Sequence, residues 1–336
     1  MEDKQNYFRN KIVLLNVFAT FMVVALHALP NERFGMNIDA SCVVIYLLRA
    51  ICQVGVPLFF FISAVLFYNT VNSYKDISKK ILRRFRTLLV PYLLWNVFFV
   101  AVYFVLTNIP SISSHMNMGK AFNGMYDIVV GIVDSRFTPL WFIKILIYYT
   151  ISAPIIYLII RSKIVFVFVL ISSVGYSLML EPEVYDNFFL WLPIYLSGAF
   201  FGYCKINLAK RTSTLIFLVI MTVIVMILGI YDFEKIIYFR YFMPIAIWIG
   251  CDWFMGNFIR ERFIVKAWMN CTFFLYCTHY FVLNILEKVA VLHFPPSEIV
   301  LVFTLIISFT ITVFSLLNIA LKLKDRQVYK ILTGGR

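Results

Sequence analysis

Charge is what this chain has least of. Only 14% of its 336 residues are Asp, Glu, Lys or Arg, against roughly 25% in soluble domains, while 62% are hydrophobic. Two water-soluble domains of this total length are therefore excluded. The chain also lacks the short motifs by which many soluble enzymes announce themselves. There is no Walker loop, no GxSxG elbow, no HExxH and no paired DxD. Histidine is scarce, at 4 residues, and none of the 6 cysteines pairs into a CxxC. A disulfide framework, a zinc site and a catalytic metal are accordingly not expected, and Cys42, Cys52, Cys204, Cys251, Cys271 and Cys277 read as small buried hydrophobes. A 20–50-residue repeat is missing too.

What the chain does have is apolar runs. Ten can be read, at about 12–29, 41–68, 88–107, 139–160, 164–180, 188–203, 212–230, 241–258, 267–287 and 298–321. Most approach the ~20 residues that cross a bilayer as a helix. The expected fold is an all-α integral membrane bundle of about ten spans, one domain over 1–336 with no soluble extension. The first run, Ile12–Leu29, is longer than the about 7–15 apolar residues of a signal peptide and is expected to remain as a helix.

The 30 Lys and Arg residues give a net charge of +13, and their placement says why. With alternate loops assigned to opposite sides, 22 fall on one side and 6 on the other, with Arg49 and Lys144 inside apolar runs. The positive-inside rule puts the rich side, with both termini, in the cytoplasm. The basic charge is thus a topology signal, and nucleic acid is not an expected partner. The other side has one sizeable loop, about 108–138, which contains His115 and reads as a candidate lid or acceptor-binding loop.

Polar residues inside apolar runs are the candidates for chemistry. In the first run Asn16, Thr20 and His27 fall at about 0°, 40° and 20° around a helix, one polar stripe on an apolar rod. The alternative for His27 is a hydrogen-bonded helix contact or an interfacial snorkel. In the second run Gly55 and Pro57 interrupt the helical ladder, with Arg49 before them and Ser63 after. Such backbone at membrane depth lines a cavity or is buried in protein, and Ser63 equally suits an ordinary helix contact. A basic stretch, Lys75–Arg86, leads into the third run. Topology and anionic lipid account for it, yet Arg83 and Arg86, three apart, would share a helix face and could clamp a phosphate. In the fourth run Trp141 is an interfacial aromatic, and Lys144 either snorkels or faces a polar cavity. In the ninth, Thr272, Tyr276, His279, Tyr280 and Glu287 lie within roughly 80° of one another, a second stripe with a second histidine.

Taken together these stretches resemble the acyltransferase-3 family of bacterial membrane O-acyltransferases. VVALH (Val23–His27) is similar to the end of the family's first helix, VPLFFFISA (Val56–Ala64) to its VPLFFxxSG, and RRFRTLLVPYLLW (Arg83–Trp95) to its basic stretch before PYLxW. LWFIKILIYYTISAP (Leu140–Pro154) and FFLYCTHYFVL (Phe273–Leu283) resemble later motifs, and LPIYLSGAFFG (Leu192–Gly202) is a weaker match. The chain departs from the family where an arginine and an acid would stand, at Asn16 and Val13, and where the glycine of SG is Ala64.

The resemblance implies acyl transfer, with acetyl the expected group, from cytoplasmic acyl-CoA to a hydroxyl of a cell-envelope polysaccharide or lipid-linked sugar, in a multi-pass protein of the bacterial inner membrane. His27 would be general base or acyl carrier, and Arg83 and Arg86 would hold the donor's phosphates. Asn16, Arg49, Ser63, Trp141, Lys144, Tyr276 and His279 would line the cavity. Acyl-CoA, expected as acetyl-CoA, is a substrate on this reading, no permanently bound cofactor or metal is implied, and lipid is the surrounding partner. A glycan or acyl-carrier transporter with broken helices and a catalytically inactive member are the alternatives left open.

Overall fold

The computed structural model describes residues 2–29, 43–109, 124–135, 140–180, 185–206, 212–231, 239–293 and 298–335. Most of the expected loop at 108–138, with His115, lies outside them. Among the described residues there is no strand. The helices are α1 (Glu2–Ala28), α2 (Val43–Cys52), α3 (Gly55–Tyr68), α4 (Tyr74–Arg84), α5 (Val90–Thr107), α6 (Met125–Val133), α7 (Trp141–Ile151) and α8 (Ala153–Arg161). They continue as α9 (Lys163–Ser177), α10 (Phe188–Cys204), α11 (Thr212–Tyr231), α12 (Phe239–Glu261), α13 (Thr272–His293), α14 (Glu298–Leu323) and α15 (Gln327–Leu332).

By length and composition five stretches among the described residues are able to cross a membrane: Gln5–Ala28, Leu48–Tyr68, Tyr74–Thr107, Arg240–Glu261 and Leu305–Leu323. A sixth arises if α7 and α8, bent by 64° at Ser152, count as one span. The bend has a cause: Pro154 lacks the N–H that would continue the ladder. The interruption expected near Pro57 is milder. The backbone breaks only at Gln53–Val54, Leu58 N–H already donates to the Val54 carbonyl at 3.0 Å, and Pro57 sits in the first turn of α3, where no helical donor is required.

Around the bundle large apolar side chains face outward, among them Ile155, Phe168, Phe254 and Phe314. Water would penalise that surface, while lipid does not. The centre of the bundle is α3, whose side chains from Leu58 to Ala64 are buried almost without exception. Lipid supplies little apolar drive between helices, so close backbone contact has to hold them. Two neighbours achieve it with glycine. Gly198 and Gly202 of α10, four residues apart, form a GxxxG pair against α3; a β-carbon there would stand 2.5 Å from the Phe61 carbonyl oxygen or 2.6 Å from that of Val65. Gly55 sets α3 itself on α1, where a β-carbon would stand 2.7 Å from the Ala19 carbonyl oxygen.

A charged pin joins α1 to α12. The Lys11 ammonium, 2% exposed as a residue, lies 2.7 Å from Asp252, which also accepts from the Tyr7 hydroxyl. It sits 3.7 Å over the Trp248 ring as well. Both charges are thus paired, as burial demands.

The glycine contacts make a test. Gly198→Ala and Gly202→Ala are each expected to cost about 1–3 kcal/mol by overpacking. Gly175→Ala in α9, where an added methyl meets nothing within 4 Å, leaves stability unchanged or slightly higher. Thermal unfolding in detergent reads the difference, and equal midpoints for all three would remove the glycine contacts from the fold's support.

Candidate functional site

A cavity of about 640 Å³ opens where α1, α3, α4, α7 and α13 converge. Its size suits a small organic ligand or one arm of a larger one. At one end stand Lys80, Arg83 and Arg84; the walls include Asn16 and Thr20 of α1, Phe59, Ile62 and Ser63 of α3, and Phe142 and Leu146 of α7; Thr272 and Tyr276 of α13 close the far side. The end that carries the cations is the end to which the chain's basic loops belong.

The cationic end is built on the last turns of α3. Arg84 donates from Nη1 to the Ser63 hydroxyl at 2.8 Å and from Nη2 to the Ser63 carbonyl at 3.2 Å. Lys80 donates to the carbonyls of Phe67 and, at 3.4 Å, Leu66. Cations over the carbonyls at a helix C-terminus are favourably placed. These bonds also hold α4 against α3, so part of the cations' work is structural. Arg84 has five N–H donors, and the two bonds to Ser63 leave others to face the cavity. α4 is started by a capping box, in which Ser73 and Asp76 satisfy each other's backbone donors.

Immediately after Arg84 the chain makes a π-helix, Phe85–Leu89, before α5. Pro91, at the second position of α5, offers no N–H to the Thr87 carbonyl four residues back, and the ladder widens there. Its effect on the expected phosphate clamp is direct. On a regular helix Arg83 and Arg86 share a face; with the wider turn between them, Arg83 lines the cavity while the exposed Arg86 is not among its lining residues. The sequence reading took no notice of Arg84 and Lys80, because nothing in a run of six basic residues marks which ones turn inward.

The two polar stripes meet. Thr20 and Tyr276 line the cavity, and the histidines sit beyond it on the same two helices, His27 about 10 Å further along α1 and His279 one turn further along α13. The rings of His27 and His279 are 5.2 Å apart, and His27 meets Tyr280 edge-on at the same separation. His279 is fully buried. Its Nδ1 is 2.7 Å from the Tyr276 carbonyl oxygen. A carbonyl only accepts, so Nδ1 carries the proton and Nε2 presents a lone pair. That Nε2 has no hydrogen-bond partner among the described residues, so its lone pair is available to accept a hydrogen bond. Phe59 and Phe142 pack around Tyr276 at 6.0 and 5.8 Å.

The other candidate residues lie apart. Asn16 and Ser63 line the cavity, whereas Arg49, Trp141 and Lys144 are not among the lining residues. Arg49 is half-buried in the last turn of α2. Trp141 stacks on Trp191 at 5.6 Å. Lys144, in the first turn of α7, reaches out of the helix to two partly exposed carboxylates: its ammonium holds Asp134 at 2.7 Å and Asp186 closer still. Burial lifts the Asp186 carboxyl above the usual carboxylate range, against the pull of Lys144. Beside this pair, Tyr92 donates to the Val133 carbonyl at 2.6 Å and Ser135 donates to the Tyr92 hydroxyl at 2.8 Å, so Lys144 belongs to a clasp that fixes the end of α6. Among the described residues no three His, Cys, Asp or Glu side chains converge to hold a metal ion.

Lys144→Met should therefore loosen the end of α6. Two partly exposed pairs are worth about 1–2 kcal/mol together, so amide exchange over 124–135 is expected to quicken about five- to thirtyfold. Exchange unchanged there would mean that the clasp holds without its lysine.

No curated protein and no solved structure matches the chain. A family model does, over residues 10–318, under the description "Acyltransferase domain". The match spans both histidine stripes, the basic stretch and the glycine pair of α10, and together with the lipid-facing apolar helices it makes this a multi-pass membrane protein that belongs to the acyltransferase-3 family.

Proposed function

We propose that the protein is a membrane O-acyltransferase that moves an acyl group, acetyl in the first instance, from acyl-CoA to a hydroxyl of an envelope glycan or lipid-linked sugar. One observation carries the reading: the cavity leads from a cationic end to the helix pair on which half-buried His27 and fully buried His279 face each other. The donor's phosphates bind Arg83, Arg84 and Lys80, as charge-assisted hydrogen bonds favour. Its pantetheine arm lies along Phe59, Ile62, Phe142 and Leu146, which brings the thioester toward Tyr276. Orientation follows from the charge bias, which assigns the cationic end to the cytoplasm, where acyl-CoA is available.

At the histidines the acceptor's O–H faces the imidazole of His27, which removes its proton as the oxygen attacks the thioester carbon. The new C–O bond forms, the C–S bond breaks, and the proton passes from His27 to the departing CoA sulfur, so the reaction leaves no net charge on the enzyme. His279, with its tautomer fixed by the Tyr276 carbonyl, accepts a hydrogen bond at Nε2 and holds either the acceptor or His27 in line. Should His27 instead carry the acyl group between two steps, the same pair serves.

Asn16 stands where the family has an arginine, about 16 Å along α1 from His27, and it lines the cavity toward the cationic end. The cations of α4 are near enough to take over phosphate binding, so the substitution does not remove the means of holding a donor.

His27→Ala is expected to reduce acetylation by about 100-fold or more while binding of radiolabelled acetyl-CoA to purified protein persists. Undiminished glycan acetylation at normal protein level in a producing strain would take His27 out of the chemistry. Saturable export of a glycan without any acetyl transfer would favour a transporter instead.

A further inference from the structure

Residues 327–335 lie beyond the 10–318 family match, yet they form part of the cavity. After α14 the chain turns back, α15 packs along α5, and Gly334 and Gly335 join the lining beside Arg83, Arg84, Thr87 and Leu88. Four features hold this strap in place. The Trp95 indole donates from Nε1 to the Leu332 carbonyl at 3.0 Å. Tyr329, 3% exposed, lies 5.5 Å from the Phe274 ring. Thr333 is fully buried. Gly334 sits directly on the π-helix: a β-carbon there would stand 2.5 Å from the Thr87 carbonyl oxygen. The turn is closed by Gly334 N–H to the Ile331 carbonyl at 3.2 Å and Gly335 N–H to the Lys330 carbonyl at 2.7 Å. Both glycines have positive φ, +67° and +77°, a backbone state that side chains resist.

We infer that the strap 327–335 is a donor-binding wall, the surface against which the CoA moiety lies as it passes from the cationic end into the cavity. The placement has the right chemistry. Two residues without side chains let a bulky nucleotide and its arm come close to the backbone, and they line the same cavity as Lys80, Arg83 and Arg84. The widened π-turn and Pro91 are what the strap rests on, so the same irregularity that turns Arg86 aside from the cavity also seats Gly334. This inference rests on the donor reading above.

The test uses the full chain purified in detergent, with acetyl-CoA as probe. Binding of radiolabelled acetyl-CoA is measured alongside amide exchange of 327–335, whose Gly334 and Gly335 N–H groups report directly on the turn. In the unmodified protein acetyl-CoA should slow exchange across the strap. Trp95→Phe removes one anchoring hydrogen bond, and Gly334→Ala pushes the strap off its seat from the other side. Each is expected to weaken acetyl-CoA binding about three- to tenfold, and Arg84→Gln, which removes a cation, to weaken it at least as much. If Arg84→Gln weakens binding while acetyl-CoA leaves strap exchange unchanged, the strap inference is wrong and the donor reading stands. Absence of saturable acetyl-CoA binding to the unmodified protein would overturn both. Because the exchange measurement needs no variant, a substitution that fails to fold still leaves the inference decided.

Discussion

Everything in this bundle hangs on how closely α3 approaches its neighbours. Between apolar helices in lipid there is no hydrophobic drive to spend, so dispersion over short distances has to hold them together. Gly55, Gly198 and Gly202 permit backbone contact that any side chain would forbid. α3 then becomes the shared wall of the protein's interior. It meets α10 with Phe61 and Val65, α13 through Phe59 and α7 through Phe60. Its last carbonyls collect the cations of α4. A shift of α3 by an ångström would therefore disturb the cationic end, the apolar walls and Tyr276 at once.

The polar groups follow from that wall. In a low-dielectric interior an unpaired charge is very costly, and the structure deals with most of its charges locally: Lys11 with Asp252, Lys144 with Asp134 and Asp186, Arg84 with Ser63. His279 Nε2 is one of seven buried side-chain atoms without a partner among the described residues, and the one that belongs to a histidine ring beside His27. A polar ligand or acceptor hydroxyl at this point is the simplest way to satisfy it, and His27 lies on the adjoining ring.

How much of this could be read from the chain depends on the distance over which each feature is decided. The helical class and the two polar stripes that carry His27, Tyr276 and His279 follow from apolar runs and the 3.6-residue period, which are local. The stripes were legible as stripes; that they face each other required the packing of α1 on α13. Arg83 and Arg86 illustrate the limit. Their spacing predicts a shared face, and the prediction assumes a regular helix. Pro91, visible eight residues after Arg83, was the available sign that the turn between them would widen, but the sequence does not say whether a proline kinks, caps or produces a π-turn. Lys144 shows a different limit, because its partners at 134 and 186 are set by tertiary structure alone. The GxxxG pair in LSGAFFG was present in plain view, and its role needed only the small-residue rule.

Span number is governed by a related ambiguity. Composition marks a run as apolar without saying whether it crosses straight, bends or stops short. The run at 139–160 is apolar but for Lys144, Thr150 and Ser152, and it bends by 64° at Ser152. At the bend the Ala153 carbonyl, first of α8, accepts in addition from the fully buried Tyr68 hydroxyl at 3.1 Å, a bond that keeps the break inside protein. The residue that meets the bend is thus the last residue of α3. The same central helix borders both arms of the bend: Phe142 of α7 meets Phe60 of α3, and Tyr68 at the end of α3 reaches the first residue of α8. Pro154 breaks the ladder within the run, and the Tyr68 hydroxyl at the end of α3 meets the chain at the break, so the run and its neighbour fix the bend together.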